Sequence, residues 1–356
     1  MTNFHRVSHT ALQDFATAVF KRQGLSDAHA QQVSQAMVWA DLRGIDTHGV
    51  SRIPMYLKFI AQQVINPQPK MHWQLDLPAL MVLEADQAPG AVAMTYAAEK
   101  LLERVKQTGI SCVLVRATTH TGAHGFITQY LARQGMAAIS MAASIPSMAY
   151  HGAAAAGVST APLSISVPGP ADQPIVFDMA TGVVSLGRLL QAKKLRQTLP
   201  QGWALDAQGQ PTTDPAQASI PLPMAGPKGS GLALMVEMLT SVLVGNPILT
   251  GLLSSDSGAR QHKQNALIIA LDTFQICQRD RYAQDLANTL RAIKSLPVSD
   301  PAHEVLLPGE RGDRMARQQL QEGIALSSAL CAELSPIAKQ LNIALPWADS
   351  ASHLSG

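Results

Sequence analysis

The chain has 356 residues, enough for a large core and for two structural units rather than one. Apolar residues make up 47% and charged residues 15%, which argues against a disordered chain. The formal net charge is +2 and no basic run occurs, so a nucleic-acid binder is not expected. Three widely spaced cysteines, Cys112, Cys277 and Cys331, favour a reducing compartment, so we expect a cytoplasmic protein.

The first 65 or so residues carry helical patterns. Ser8 begins one periodic segment, and Ser26 can cap a second that ends at Gly44. A third helix is predicted over 53–64, where Pro54 suits the first turn. The N-terminal stretch lacks the uninterrupted apolar segment of a secretory signal, so no signal peptide is expected.

The middle of the chain alternates β-rich runs with helical patterns, which predicts an α/β sheet. The β-rich runs cover 79–85, 111–117, 137–143, 163–168, 175–180 and 266–272. The most apolar stretch, 232–244, contains Glu237 and is too short to span a bilayer. It is predicted to be a buried core helix, and no membrane association is expected.

Two breaks divide the chain. A Pro-rich stretch at 66–70 predicts a domain boundary, and after Pro297 the sequence becomes polar and helical again. We therefore predict an N-terminal helical segment over 1–70 that carries substrate-binding residues and an α/β cofactor-binding domain over 71–296. A C-terminal helical segment over 297–356 is predicted to pack on the first.

The usual dinucleotide-binding fingerprint is absent. No strand is followed by G-x-G-x-x-G, and no G-x-x-x-x-G-K-[ST] loop occurs. The residues alone therefore argue against a Rossmann domain.

A first polar cluster lies in DLRGIDTHGVSRIPMY, residues 41–56. If this segment is helical around Arg52, then His48, Arg52 and Tyr56 share one face, with Thr47 beside them. An arginine fork near a hydroxyl and an imidazole suits recognition of a carboxylate. An ordinary surface helix explains the spacing equally well.

A second cluster, TTHTGAHGF, follows the β-rich run 111–117. His120 lies just past the predicted strand end and is a reasonable general base. His120 and His124 have the i, i+4 spacing of paired metal ligands, but no third ligand follows. We expect no metal site, and we interpret His124 as a structural histidine.

A third cluster places Lys228 among Gly226, Gly229 and Gly231, directly before a helical pattern. Backbone amides at a glycine-rich helix start, with one lysine, suit a phosphate or a carboxylate. An ordinary turn from loop to helix is slightly favoured when this cluster is considered alone.

Together these segments resemble the malate/L-lactate dehydrogenase type 2 family. The motifs ADLRGIDTHGVSR, THTGAHG, VFDMATG, LPQGWALDAQGQPTTDP and AGPKGSGL occur in the family's order over roughly residues 5 to 325. Within the family, DMAT, GWALDAQGQPTTDP and AGPKG are most similar to ureidoglycolate dehydrogenases. The resemblance implies interconversion of 2-hydroxy and 2-keto acids with NAD or NADP. It also implies a mixed α/β, non-Rossmann core like that of L-sulfolactate dehydrogenase, and homodimers with the site near the subunit boundary.

The resemblance further implies roles for individual residues. His120 would transfer the proton, and Thr47 and His48 match an active-site Ser-His pair in which His48 is catalytic. Thr47, Arg52 and Tyr56 match substrate-binding positions, with Arg52 holding the carboxylate. The positions that match cofactor contacts are Ser144, Asp178, Met179, Ala180, Lys228, Gly309, Glu310 and Arg311.

Two departures from the family pattern bear on the substrate. The usual G-T-N-P is here Ser159-Thr160-Ala161-Pro162, and Ile145 stands where ureidoglycolate dehydrogenases have aspartate. Both changes remove polar groups and favour a smaller or more apolar acid than ureidoglycolate. A cyclic imino acid reductase and a non-catalytic metabolite-binding protein remain alternatives.

Overall fold

The structure is a computed structural model that describes residues 4–252, 263–300 and 304–347. The strands are β1 (Phe4–Val7), β2 (His72–Asp76), β3 (Leu80–Glu84), β4 (Ile110–Thr118), β5 (Met136–Ala143), β6 (Met148–Ala149), β7 (Ala156–Val158), β8 (Leu163–Val167), β9 (Ile175–Met179), β10 (Ala204–Leu205), β11 (Pro211–Thr212), β12 (Ile220–Pro221), β13 (Gln264–Asp272) and β14 (Ile324–Ser327). The α-helices are α1 (His9–Arg22), α2 (Asp27–Leu42), α3 (Ile53–Ala61), α4 (Gly90–Thr108), α5 (Gly125–Arg133), α6 (Leu186–Leu195), α7 (Pro227–Glu237), α8 (Thr273–Ile276), α9 (Arg279–Lys294), α10 (Glu310–Glu322) and α11 (Ser328–Leu341).

A seven-stranded mixed sheet forms the centre, in the order β2-β3-β4-β13-β5-β8-β9. Only β3 and β4 are parallel neighbours, and the other pairs are antiparallel. This arrangement confirms the predicted non-Rossmann α/β fold. Strand β13 lies between β4 and β5, and its continuous apolar run suits a strand covered on both faces. The edge strand β2 was not predicted, because its sequence HWQLD contains no β-branched residue.

The first two helices begin at the predicted caps. The Ser8 hydroxyl accepts a hydrogen bond from the Ala11 backbone, and the Ser26 hydroxyl accepts one from His29. Helix α3 has proline in its first turn but ends at Ala61, three residues before the predicted end. Helices α1 and α2 therefore begin where a serine side chain satisfies one of their first free amides.

The two ends of the chain lie together. Strand β1 pairs with β14 in antiparallel register, and Phe15 of α1 meets Trp347 edge-on with ring centroids 5.4 Å apart. Neither strand was predicted, because each is four residues long and pairs with a partner more than 300 residues away. The division at 70 and 297 stays a prediction.

Helix α6 belongs to a small lobe that has its own apolar core. Val184, Leu189, Ala192, Leu199 and Ala204 form this core beside the short sheet β11-β10-β12. The lobe places the start of α6 against the segment that follows α2. A Cβ on Gly187 would lie 2.6 Å from the Thr47 side chain, so only glycine permits this approach.

Helix α7 differs from its prediction. One face is buried through Ala233 and Val236, but Met235 is 54% exposed and Leu243, just beyond the helix, is 69% exposed. The prediction of a buried core helix is therefore wrong for the face that carries Met235. The stretch is apolar all round, so its sequence does not show which face has a neighbour. Across the described ranges, no helix combines the length and apolarity needed to cross a membrane.

Candidate active site

A cavity of about 480 Å³ lies at one edge of the sheet, where β4, β5 and β9 end and β13 begins. Sites in α/β proteins commonly form at such strand ends. Nine of the proposed site residues line it: Thr47, His48, Arg52, His120, Ser144, Asp178, Met179, Ala180 and Arg311. Four do not line it: Tyr56, Lys228, Gly309 and Glu310.

The segment that carries Thr47, His48 and Arg52 is not a regular α-helix. It forms two 3₁₀ turns, Asp46–His48 and Val50–Arg52, before α3 begins. The prediction of a helix around Arg52 is therefore wrong for this segment, although the turns still bring all three side chains to one cavity. Tight turns of this kind need external anchors, because each satisfies few of its own backbone groups.

Asp41 anchors these turns, a role that its neighbours in the sequence do not indicate. Its side chain is 4% exposed and accepts a hydrogen bond of 2.9 Å from the Val50 backbone amide. A Cβ on Gly49 would lie 1.6 Å from Asp41 Oδ1, so glycine is required at that position. Gln319 of α10 in turn donates to the Asp41 carbonyl oxygen.

A pH-dependent stability effect follows from the buried Asp41 carboxyl. Burial raises its pKa from 3.8 to about 8. Its contribution to stability is therefore fully present below about pH 4 and is lost as the pH rises through about 8. We expect Asp41→Asn, which keeps an acceptor for Val50 but cannot titrate, to gain stability relative to wild type over that window. Urea unfolding of both proteins across this pH range measures the difference.

The exposed change Asp14→Asn is the control, and its stability difference from wild type should not vary with pH in the same way. A constant difference between Asp41→Asn and wild type would contradict the assigned burial effect.

Two histidines stand side by side in the cavity. The rings of His48 and His120 are stacked with centroids 5.5 Å apart, and Thr47 Oγ1 lies 3.0 Å from His48 Nδ1. Burial, followed by the positive charge of Arg52, lowers the pKa of His48 to about 4. Burial, followed by the charges of His48, Arg52 and His124, lowers the pKa of His120 well below its usual range. Both rings are therefore neutral at pH 7.

Arg52 presents a cation to the same space. Its Nε donates to the Thr47 carbonyl oxygen, and its Nη1 lies 3.8 Å from Met55 Sδ. Within the described part of the chain, no carboxylate forms an ion pair with it. Burial lowers the pKa of Arg52, which shows that its charge is partly desolvated. A desolvated guanidinium that no carboxylate pairs with favours an anionic ligand.

The loop after β4 holds His120 in place. The Thr119 backbone amide and hydroxyl both donate to the Ala88 carbonyl oxygen. A Cβ on Gly90 would lie 2.2 Å from the His120 carbonyl oxygen, so the start of α4 touches this loop directly. Gln264 accepts from both the amide and the hydroxyl of Thr121. Sequence reasoning missed Gln264, because its position beside this loop arises from pairing of β13 with β4.

His124 is buried and both of its ring nitrogens have partners. Nε2 lies 2.9 Å from Thr121 Oγ1, and Nδ1 lies 2.7 Å from Ser140 Oγ. No group of three or more potential metal-ligating side chains occurs within residues 4–252, 263–300 and 304–347. The geometry of His124 is therefore that of a structural residue between the loop and β5.

Ser144 and the segment Asp178–Ala180 also line the cavity. Asp178 Oδ2 accepts a hydrogen bond of 2.8 Å from the Gly125 amide at the start of α5. Ile145 also lines the cavity, whereas Ala161 is fully buried in an apolar cluster and does not reach it. The missing amide at Ala161 therefore changes packing beside the cavity rather than its surface.

The late turn at 309–311 is tied to α2 by Arg43. This guanidinium pairs with Asp313 at 2.6 Å, donates to the Gly309 carbonyl oxygen, and lies over the Trp39 ring. Arg311 consequently faces the cavity. Glu310 instead pairs with Lys294 at 2.8 Å and also with Arg314, on the outside of the turn.

Lys228 is exposed at the start of α7 and lies outside the cavity lining. Its neighbour Gly229 is buried, and a Cβ there would lie 2.5 Å from the Met224 carbonyl oxygen. Gly229 is thus required for packing of this turn. A cofactor contact for Lys228 stays a prediction.

Known proteins share both the sequence and the fold. The chain is 32% identical over 324 residues to ureidoglycolate dehydrogenase (NAD(+)) of Escherichia coli O157:H7, covering 90% of this chain and 92% of that protein. It is 30% identical over 328 residues to the delta(1)-pyrroline-2-carboxylate/delta(1)-piperideine-2-carboxylate reductase of Pseudomonas putida, covering 90% and 94%. Sulfolactate dehydrogenase from Methanocaldococcus jannaschii superposes with a TM-score of 0.83 at 27% identity, covering 95% and 98%.

The mixed sheet, the cavity at its edge and these relatives together define an oxidoreductase with a mixed α/β, non-Rossmann fold. The chain belongs to the malate/L-lactate dehydrogenase family, which it matches over residues 7–335. The resemblance inferred from the five motifs is confirmed, as is its similarity to ureidoglycolate dehydrogenases.

Proposed function

We propose that this protein interconverts a small 2-hydroxy acid and its 2-keto acid by hydride transfer with NAD or NADP. The observation that carries the proposal is a neutral histidine beside an unpaired arginine in one cavity. Hydride transfer at the carbon next to a carboxylate needs both an anion-binding group and a proton-transferring group. Arg52 and His120 supply these two groups.

Arg52 binds the substrate carboxylate in this proposal. Its fork of donors matches a carboxylate in two parallel hydrogen bonds, and its partial desolvation strengthens them. Thr47, which lies between His48 and Gly187, adds a hydroxyl beside the fork. With its carboxylate held by Arg52, the acid has its second carbon directed toward the histidines. This orientation of the substrate contributes to the reaction rate.

His120 transfers the proton. Because its pKa is lowered well below the usual range, the ring is neutral and can accept the hydroxyl proton during oxidation. In the reverse direction the protonated ring returns that proton to the carbonyl oxygen. His48, stacked on His120, is also neutral at pH 7, because burial and the charge of Arg52 lower its pKa to about 4.

A nicotinamide dinucleotide is the cofactor in this proposal. Gly122 has a positive φ of 73°, and no atom lies within 4 Å of where its Cβ would be, so the backbone there is open to a ligand. Residues that would hold the cofactor are Ser144, Asp178, Met179, Ala180 and Arg311. When bound, the cofactor accepts or donates the hydride. Cofactor contacts for Lys228, Gly309 and Glu310 stay predictions.

The lining favours an acid with a small or apolar side chain. Ile45, Met55, Phe59 and Ile145 all line the cavity, and their side chains offer no hydrogen bond to a polar group placed against them. Because an unpaired polar group in such a site is costly, an acid with an apolar side chain is preferred over ureidoglycolate.

Reduction of a cyclic imino acid is the second candidate. The similarity to the Pseudomonas putida reductase supports it, and such a substrate also carries a carboxylate that Arg52 could bind. The two candidates differ in the group reduced, a carbonyl or a C=N bond. Turnover of delta(1)-piperideine-2-carboxylate with no turnover of any 2-keto acid would favour this candidate.

Absorbance of NADH and NADPH at about 340 nm, followed with a panel of 2-keto acids, tests the main proposal. The panel contains pyruvate, 2-oxobutyrate, 2-oxovalerate, oxaloacetate and the cyclic imino acid, each with both cofactors. Oxidation of the cofactor by at least one 2-keto acid supports the proposal. Cofactor binding without any turnover across the panel would instead favour a non-catalytic metabolite-binding protein.

A homodimer and a cytoplasmic location complete the proposal. An apolar stripe on and after α7, with each side chain at least 37% exposed, offers a surface that a second copy would cover. This stripe comprises Met235, Met238, Leu239, Val242 and Leu243.

The three cysteines are all free, which suits a reducing compartment.

The double variant Met235→Glu/Leu243→Glu is expected to sediment as a monomer, whereas the wild type sediments as a dimer. Two buried carboxylates without partners would cost more than the interface can tolerate. Analytical ultracentrifugation makes the measurement, and Leu77→Glu, in the turn between β2 and β3, is the matched control. A double variant that stays dimeric would place the interface elsewhere.

A further inference from the structure

Tyr56 lies behind His120 rather than in the cavity. Its side chain, in α3, is 4% exposed. Its hydroxyl is 3.1 Å from His120 Nδ1 and 3.0 Å from the His120 carbonyl oxygen. The same ring meets Phe20 edge-on at 5.9 Å, which fixes its position from the other side. Tyr56 therefore contacts the proton-transferring residue and not the space where substrate would bind.

The two contacts of the Tyr56 hydroxyl have one consistent hydrogen-bond pattern. A carbonyl oxygen only accepts, so the single phenolic proton must point at the His120 carbonyl oxygen. The phenolic oxygen can then only accept from Nδ1, which must carry a proton. Burial raises the pKa of Tyr56 above its usual range, so the phenolic proton is retained.

We propose that Tyr56 is a positioning residue that holds His120 in the tautomer with the proton on Nδ1. Nε2 is then the bare nitrogen left for the cavity, and within residues 4–252, 263–300 and 304–347 no hydrogen bond engages it. This inference rests on the proposed function, because it explains how His120 is ready to accept a proton. During oxidation the hydroxyl proton moves to Nε2 while the hydride leaves the adjacent carbon. The resulting imidazolium keeps its Nδ1 proton bonded to Tyr56.

The same contact orients the ring. One nitrogen is held by a buried phenol, so the imidazole cannot flip by 180° without losing that bond. A neutral histidine with a fixed tautomer presents an acceptor during oxidation, whereas the other tautomer would present an N–H donor and could not take the proton. The hydrogen bond from the Tyr56 hydroxyl to the His120 carbonyl oxygen adds a second constraint, because it fixes the hydroxyl relative to the His120 backbone.

Nitrogen-15 NMR of protein labelled at histidine tests the tautomer directly, and the His120 signals are assigned by their loss in His120→Asn. In the wild type we expect a protonated Nδ1 and a bare Nε2. In Tyr56→Phe, which keeps the ring against Phe20, we expect a mixture of tautomers. The control is Tyr96→Phe, because Tyr96 is an exposed residue of α4. This variant should keep the wild-type tautomer of His120.

Kinetics provide the second readout. Tyr56→Phe is expected to lower kcat for oxidation of the 2-hydroxy acid severalfold, because a smaller fraction of the neutral His120 rings has the competent tautomer. KM for the 2-hydroxy acid and the Kd for NADH should change little, unlike the result expected if Tyr56 bound the substrate. A wild-type His120 protonated on Nε2, or a Tyr56→Phe variant with wild-type tautomer and kcat, would overturn the proposal. If no 2-keto acid is turned over, the proposed function fails, yet the NMR result still decides the tautomer.

Discussion

His120→Ala is expected to lower kcat by about 100- to 10,000-fold while the affinity for NADH changes little. The ring is the proton-transferring group in the proposed mechanism, and removing it leaves the substrate alkoxide or carbonyl oxygen without an acid or base. Steady-state kinetics with the best substrate of the panel measure kcat. A fluorescence titration with NADH measures the cofactor affinity separately.

The matched control for this change is His72→Ala, an exposed histidine on the edge strand β2. Turnover of that variant should equal wild type. His120→Ala with near-normal kcat would remove His120 from the mechanism. A loss of NADH binding would mean that the change disturbs the loop after β4 and not only the chemistry, since this loop packs against the start of α4.

Arg52→Lys is expected to lower kcat/KM by about 30- to 5,000-fold, which corresponds to about 2–5 kcal/mol. Lysine keeps the charge but loses the fork that binds a carboxylate through two hydrogen bonds. The Nε bond to the Thr47 carbonyl oxygen is lost as well, so the turn that carries His48 loses a constraint. Most of the effect should appear in KM, because the carboxylate is present in both the substrate and the transition state.

Arg133→Lys, at an exposed position at the end of α5, is the control and should leave kcat/KM unchanged. Full kcat/KM in Arg52→Lys would show that the carboxylate is held elsewhere, with Lys263 and Arg311 as the other cations that line the cavity. The His120 and Arg52 variants together separate proton transfer from binding, since the first should change kcat and the second mainly KM.

The elements whose signals are local could be predicted from the sequence. Ser8 and Ser26 each place an acceptor three residues before a free amide, so the starts of α1 and α2 follow from neighbours in the chain. The apolar run of β13 likewise reflects burial on both faces. The family could also be predicted, because each motif is contiguous and the order of the motifs along the chain can be recognised without the three-dimensional structure.

Contacts between residues that are distant in the chain could not be predicted and follow from the fold. Tyr56 and His120 are 64 positions apart, and neither residue's neighbours indicate that a phenol lies behind the imidazole. The role of Asp41 under the 3₁₀ turns and the pairing of β1 with β14 have the same origin. The two faces of α7 are both apolar, so burial of one and exposure of the other depended on where the sheet lies. Local sequence patterns determine the periodicity and the capping of an element. The desolvation, tautomer and pKa of a side chain depend instead on neighbours that folding brings together.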